Sequence, residues 1–278
     1  MTKKRILRIL KYVMLSILAL ISIFPFIWML LGMTNNTVDI TAGKLKIGGE
    51  FLNNLSHLFA SDLDFISAIG NSALVAVITT VLALLISSAA GYGFEIYKTK
   101  KRERLFNILL LSMMVPFAAL MIPLFKMFSN VSQLGLDFMG IDSLFSLIIP
   151  SVSTAFLIFF FRQNTKSFPK EMLEAARIDG VSEIGLFFKI YMPTIKSTYA
   201  AAAIITFMNS WNNYIWPLIS IQTPEKRTIP LILSAMGASY TPDYGMIMCA
   251  IVIATIPTAI IFMVMQKQFV AGMIGSVK

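Results

Sequence analysis

One cysteine and one histidine stand in a chain of 278 residues, and their scarcity excludes a good deal of chemistry. A disulfide, a Cys/His zinc cluster and a Cys/His catalytic pair each need at least two such groups, so metal and thiol chemistry are not expected. Charge is scarce too: 13% of residues carry it, against about 25% in soluble domains. No P-loop is present, since the Gly43-Lys44 pair is followed by Leu45 and the pattern GxxxxGK[ST] fails. The chain cannot hydrolyse nucleotide by that route. What it has is apolar length, with 57% hydrophobic residues and a mean hydropathy of +0.77.

Six runs of 18 or more residues are free of Asp, Glu, Lys and Arg: 12–38, 65–94, 105–125, 143–161, 197–224 and 244–266. A hydrocarbon core about 30 Å thick needs roughly 20 helical residues, and every run can supply them. None alternates apolar and polar residues as the strands of a membrane barrel would. The expected fold class is an all-α membrane protein with six transmembrane helices. Residues 228–242 are interrupted by Pro230, Gly237 and Pro242 and read as a loop or interfacial segment. The first run is too long for a signal core and lacks a small-x-small cleavage site, so an uncleaved span is expected.

The formal charge of +9 is explained by its placement. Lys3, Lys4, Arg5, Arg8 and Lys11 precede the first run; Lys98, Lys100, Lys101, Arg102 and Arg104 follow the second. Arg162, Lys166, Lys170, Arg177, Lys189 and Lys196 lie in the fourth connection, and Lys267 and Lys278 in the tail. These are 18 of the 23 Lys and Arg residues, and they fall on one side of a six-span topology. The positive-inside rule makes that side, with both termini, cytoplasmic. A nucleic-acid role thereby loses its main support.

The span cores hold no acidic residue or histidine, which disfavours an ion-coupled carrier. The 35 residues from Arg162 to Lys196 are too long to be structureless. Pro169 suits a first helical turn, with Glu171 and Glu174 at the positive end of the dipole and Arg177 near the negative end. Lys170, Glu174 and Arg177 form a charged stripe; Leu173 and Ala176, with Met172 and Ala175, form the other face. Asp179-Gly180 reads as the stop. A second helical stretch from Ser182 to Tyr191 carries Ile184, Leu186, Phe187, Phe188 and Ile190. Five large apolar side chains would each forgo about 1.5–3 kcal/mol in water. The segment packs either on the ends of its own spans or into a groove of a soluble partner, and composition leaves both open.

The run EAARIDG at Glu174 to Gly180, followed by FFKIYMP, resembles the EAA motif of permease subunits of binding-protein-dependent ABC importers. Further pieces resemble the carbohydrate branch: Asn71-Ser72, GYGF from Gly91, MIPLF from Met121, FFRQ from Phe160, WNNYIWPL from Trp211 and the tail QFVAGMIGSVK. Met192 and Lys196-Ser197 depart from the usual pattern. The resemblance implies a type I ABC importer permease fold with cytoplasmic coupling helices, in which Glu174, Ala175, Ala176, Asp179 and Gly180 dock in an ATPase groove. It implies an ATPase subunit dimer that binds ATP and Mg, a second homologous permease and an external sugar-binding protein, with no cofactor in this chain. The expected division is residues 1–66 as N-terminal segment, first span and external loop, 67–266 as the transmembrane domain, and 267–278 as a cytoplasmic tail. The location expected is the bacterial cell membrane.

Asn209, Trp211, Asn212 and Tyr214, with Asn213 and Trp216, combine amides with aromatic faces that suit a sugar pathway. An interfacial aromatic belt with amides pairing between helices is the commoner explanation of such a cluster. His57 is expected at the surface and Cys249 as a small core residue, while Gly91 and Gly93 read as the end of the second span. An oligosaccharide importer subunit is the reading these features support. The alternatives are an ion-coupled secondary carrier or channel, and a membrane-embedded enzyme or scaffold.

Overall fold

The computed structural model describes residues 3–274, and every regular element among them is helical. In chain order the α-helices are α1 (Lys3–Gly32), α2 (Thr37–Thr41), α3 (Phe51–Ala60), α4 (Phe65–Ile96), α5 (Lys100–Ser112), α6 (Phe117–Gln133), α7 (Leu144–Ile148) and α8 (Ala155–Thr165). There follow α9 (Glu171–Ile178), α10 (Glu183–Gly185), α11 (Met192–Thr194), α12 (Lys196–Trp211), α13 (Ile215–Ser220), α14 (Ile229–Gly237) and α15 (Tyr244–Ile274). Gly275, Ser276, Val277 and Lys278, at the end of the tail, lie outside the described residues.

All six apolar runs are largely helical, and three are continuous helix: Leu7–Gly32, Phe65–Ile96 and Tyr244–Lys267. The fourth, Leu144–Thr165, passes from α7 to α8 through a 3-10 turn at Ile149–Ser151 and a short non-helical stretch. The other two are broken. The third bends by 100° between α5 and α6, where Pro116 has no N–H to continue the ladder and its ring pushes Val115 out of the helical region. The fifth stops at Trp211 and resumes in α13; the Asn212 amide turns back to donate to the Met208 carbonyl at 2.8 Å, a local bond of the kind by which asparagine competes with helix. Residues 228–242, expected as a loop, contain α14, with Pro230 in its first turn where no N–H is needed.

The apolar stretch of α1 has 0% of its residues buried within the chain. Side chains such as Leu10, Leu20 and Ile21 would each forfeit about 1.5–3 kcal/mol in water, so the surface around them must be lipid or protein.

The chain forms two compact units, one of residues up to Phe65 with Ile232–Ile256, the other of Ile66–Leu231 with the segment from Pro257 onward. In the first, a polar knot fixes the chain beyond α1. The buried Asn54 amide donates to the carbonyls of Met33 at 3.0 Å and Asn35 at 2.9 Å, and Asn35 donates to Leu31 at 2.8 Å and Lys46 at 2.7 Å. A Cβ on Gly245 would lie 2.5 Å from Asn54 Oδ1, so only glycine fits. Asp243 caps α15 by accepting from Met246 N at 3.2 Å and lies 3.3 Å from Nδ1 of the exposed His57. Cys249 is buried.

The second unit has one core around Trp216, Phe128 and Leu147, where the indole N–H donates to Ser146 O at 2.8 Å. Nearby, Asp142 adopts φ +59°, a left-handed conformation that aspartate tolerates better than most residues. Its carboxylate accepts from the backbone N–H of Gln222 at 2.7 Å and Thr223 at 2.9 Å, from the Thr223 hydroxyl, and from Lys226 Nζ at 3.3 Å. The far end of that loop is held by Asn71, which donates to the carbonyls of Glu225 and Arg227, and by Ser72, which accepts from Ile229 N. Burial opposes ionisation of Asp142, yet these donors outweigh it and hold its pKa below 3.8. The carboxylate's contribution is therefore complete above pH 3.8 and is lost as pH falls through the lowered value. Amide exchange at Gln222 and Thr223, corrected for intrinsic rates, is expected to stay protected down to that lowered pH and to open below it; an opening already at pH 5–6 would contradict the assignment.

Candidate functional site

The second core of this unit gathers Tyr92, Phe161, Leu173, Leu186, Phe187 and Tyr191. Tyr191 packs 4.7 Å from the Tyr92 ring and 5.5 Å from Phe168, and its hydroxyl bonds Thr165 at 2.6 Å. This core anchors α9. Leu173 and Ala176 are buried in it, as the apolar-face reading requires, but Met172 and Ala175 are exposed. The helix begins at Glu171, so Pro169 precedes it rather than opening its first turn. Glu171 and Glu174 occupy the first turn and Arg177 the last, each at the end of the dipole that favours its charge.

The helix ends where Asp179-Gly180 indicated. Gly180 has φ +80°, its N–H donates to Arg177 O at 3.0 Å, and Val181 N–H donates to Ala176 O at 3.0 Å. This pair of bonds is a Schellman closure, which needs a residue at ease in the left-handed region. Beyond it Arg177 grips Glu183 through Nε at 2.8 Å and Nη2 at 3.2 Å, and the Tyr97 hydroxyl donates to the same carboxylate. Arg177 first and Tyr97 second hold the Glu183 carboxyl below its ordinary range. The second stretch is not a plain α-helix: α10 passes into a π-helix, Leu186–Tyr191. Its wider turn buries Leu186, Phe187 and Tyr191 while Ile184 and Phe188 face outward.

A groove of about 520 Å³ borders α9, lined by Met172, Ala175, Ala176, Asp179, Lys189 and Ile190 among others. The five EAA-motif positions thus fall in three places: Ala175, Ala176 and Asp179 line the groove, Gly180 closes the helix, and Glu174 sits in its first turn. Ile178, which the sequence reading passed over, is 88% exposed on the same helix.

The residues suggested for a sugar pathway separate. Asn209 and Asn213 line a cavity of about 530 Å³ together with Thr79, Thr206, Ser210 and Phe117. Trp211 is instead buried against Phe207, with ring centroids 5.6 Å apart and planes 15° from parallel. Asn212 is engaged with Met208, and Tyr214 is exposed. Among the described residues no group of three His, Cys, Asp or Glu side chains is placed to hold a metal ion.

A charged cluster was missed. Arg162, counted from sequence as the first residue of the fourth connection, belongs to α8 and is 2% exposed. Its Nε lies 3.1 Å from Glu95, its Nη2 2.7 Å from Glu103, and its guanidinium 4.0 Å from the Phe106 ring centre. Helix α4 runs on through Gly91, Gly93 and Glu95 to Ile96, so those glycines do not end the span. Gly91 is there for close packing: a Cβ would sit 2.8 Å from Arg162 N and Phe161 Cβ.

Residues 83–275 match the family described as binding-protein-dependent transport system inner membrane component. Over 276 residues the chain is 46% identical to the lactose transport system permease protein LacG of Rhizobium radiobacter, covering 99% of this chain and 98% of that one. It is 36% identical to the arabinooligosaccharides transport system permease protein AraQ of Bacillus subtilis, over 99% and 96%. At 29% identity it is similar to the sn-glycerol-3-phosphate transport system permease protein UgpE of Yersinia enterocolitica, over 99% of each. In fold it resembles a chain in the crystal structure of a bacterial ABC transporter involved in the import of the acidic polysaccharide alginate, with TM-score 0.84, 24% identity and coverage of 97% and 99%.

Proposed function

The chain belongs to the family of inner membrane components of binding-protein-dependent transport systems, and on that premise we propose that it carries a sugar, an oligosaccharide of neutral monomers, across the cell membrane. The observation behind the cargo is the 46% identity to a lactose transport permease over nearly the whole chain. The chain is itself no ATPase; α9 is the element through which a separate ATPase dimer, holding ATP and Mg, drives it. Glu174, Ala175, Ala176, Asp179 and Gly180 form the docking end. The exposed Met172, Ala175 and Ile178 and the adjoining groove support this reading, because they leave apolar surface uncovered within the chain.

Closure of the ATPase pair moves α9 as a rigid body, and the core around Tyr191 passes the motion to α4, α8 and α12. A second homologous permease completes the pathway, and an external sugar-binding protein delivers the cargo. On this reading the termini and basic connections face the cytoplasm and Asn209 borders the route, with Asn212 and Tyr214 beside it, whereas Trp211 packs against Phe207 in the core. Purification of the tagged chain from its native host is expected to bring down an ATPase and a second permease chain, and the reconstituted assembly to take up lactose or arabinooligosaccharides with ATP. Uptake by the chain alone, without ATP, would sink the proposal.

A further inference from the structure

We infer that the cavity lined by Thr79, Thr206, Asn209, Ser210 and Asn213 holds an uncharged sugar unit and excludes cargo bearing phosphate or carboxylate. The inference rests on the carbohydrate reading and sharpens it. The cavity, about 530 Å³, falls in the range of about 300–1,000 Å³ typical of small-molecule sites. Its walls come from α4, α6, α8, α12 and the turns beside them, so the groups are set by helices rather than by one loop.

Thr79 carries the argument. It is 0% exposed, it lines the cavity, and among the described residues its hydroxyl has no hydrogen-bond partner. A serine or threonine in a helix ordinarily bonds the carbonyl four residues back, as the neighbouring Thr80 does to Ala76 at 2.6 Å. A buried hydroxyl without a partner is costly, and the cost is removed when a ligand hydroxyl supplies one. The amides of Asn209 and Asn213 and the hydroxyls of Ser210 and Thr206 add both donors and acceptors, the mixture that sugar hydroxyls need. Phe117 and Phe156 contribute apolar ring surface for the C–H faces of a pyranose or furanose.

The charge selection follows from what the lining omits. None of its residues is ionisable. An anion brought into this site would lose its hydration and meet no cation from this chain, a penalty a neutral sugar escapes. A fold neighbour serves the import of an acidic polysaccharide, so the fold alone does not set the charge of the cargo.

The test uses the whole importer, with its second permease, ATPase and binding protein, reconstituted in vesicles and offered lactose, arabinotriose and sn-glycerol 3-phosphate in turn. Wild type is expected to take up a neutral sugar. Thr79→Val is expected to lower that uptake about 2- to 10-fold, the worth of one neutral hydrogen bond, with a thermal midpoint equal to or above wild type because an unsatisfied hydroxyl has gone. Asn209→Ala should lower uptake by a similar factor. Wild-type uptake in both variants, or a Thr79→Val midpoint well below wild type, would overturn the cavity assignment and leave the carbohydrate reading standing. Wild-type uptake of sn-glycerol 3-phosphate alone, or of neither sugar, would overturn both.

Discussion

Replacing Arg162 by methionine is expected to destabilise the protein by about 3–5 kcal/mol, the usual cost of stripping one partner from a buried ion pair. Arg162 and Glu95 are 2% and 6% exposed, and their contact at 3.1 Å joins α8 to α4. Without the guanidinium, Glu95 would stay in an apolar setting with no countercharge. Phe106 would also lose the cation stacked 4.0 Å from its ring centre. The informative control is the double variant with Glu95→Met, since a buried pair exchanged whole for apolar side chains is often neutral or stabilising. Thermal midpoints of the purified assembly should fall clearly for Arg162→Met, by roughly 10 °C, and recover much of that loss in the double variant. Equal midpoints for Arg162→Met and wild type would show that the pair is hydrated and unimportant. Glu103 is the lesser partner, because its side chain is 38% exposed and water can replace the arginine.

The second large effect belongs to Ala175→Phe. Ala175 is exposed and borders the groove beside α9, so a larger side chain there leaves the buried Leu173 and Ala176 undisturbed. The chain is expected to fold and reach the membrane as wild type does. Docking of the ATPase should suffer by the 2–4 kcal/mol typical of a blocked anchor point, about 30- to 1,000-fold in affinity. The measurements are the amount of ATPase retained on purification and ATP-dependent sugar uptake, and both should fall together. Retained ATPase with unimpaired uptake would remove α9 from the docking surface.

The relatives leave the ion-coupled carrier or channel without support, since proteins the chain resembles over nearly its whole length are transport system permeases. Much of the fold was legible, for reasons visible at single residues. Runs without charge marked every long helix, because each charged residue at the centre of a bilayer is expensive. Because caps and dipole preferences act within one turn, Gly180 located the end of α9 and the Glu171, Glu174 and Arg177 pattern its direction, though Pro169 placed its start too early. What failed were judgements that depend on a neighbour distant in sequence. A charge ends an apolar run whether it is solvated or paired, so the rule that put Arg162 in the fourth connection had no means of finding Glu95, 67 positions earlier. Gly91 carried no sign that Phe161 would lie against it.

Trp211 is a different case. Its aromatic character suggested a sugar platform, but Phe207 stands four residues before it, on the same helical face, and the two rings stack in the core. That register was available in the sequence. Thr79 was not, because a threonine in an apolar run looks the same whether or not its hydroxyl is satisfied.

The π-helix from Leu186 to Tyr191 makes segment length a constraint in its own right. Its wide turn takes up one residue more than an α-turn, so removing one would restore ordinary winding with the later side chains kept in register, whereas adding one would turn them by about 100°. Tyr191 would then swing away from Tyr92, Phe168 and Thr165. This stretch therefore tolerates exchanges of one apolar residue for another far better than it tolerates the gain of a single position.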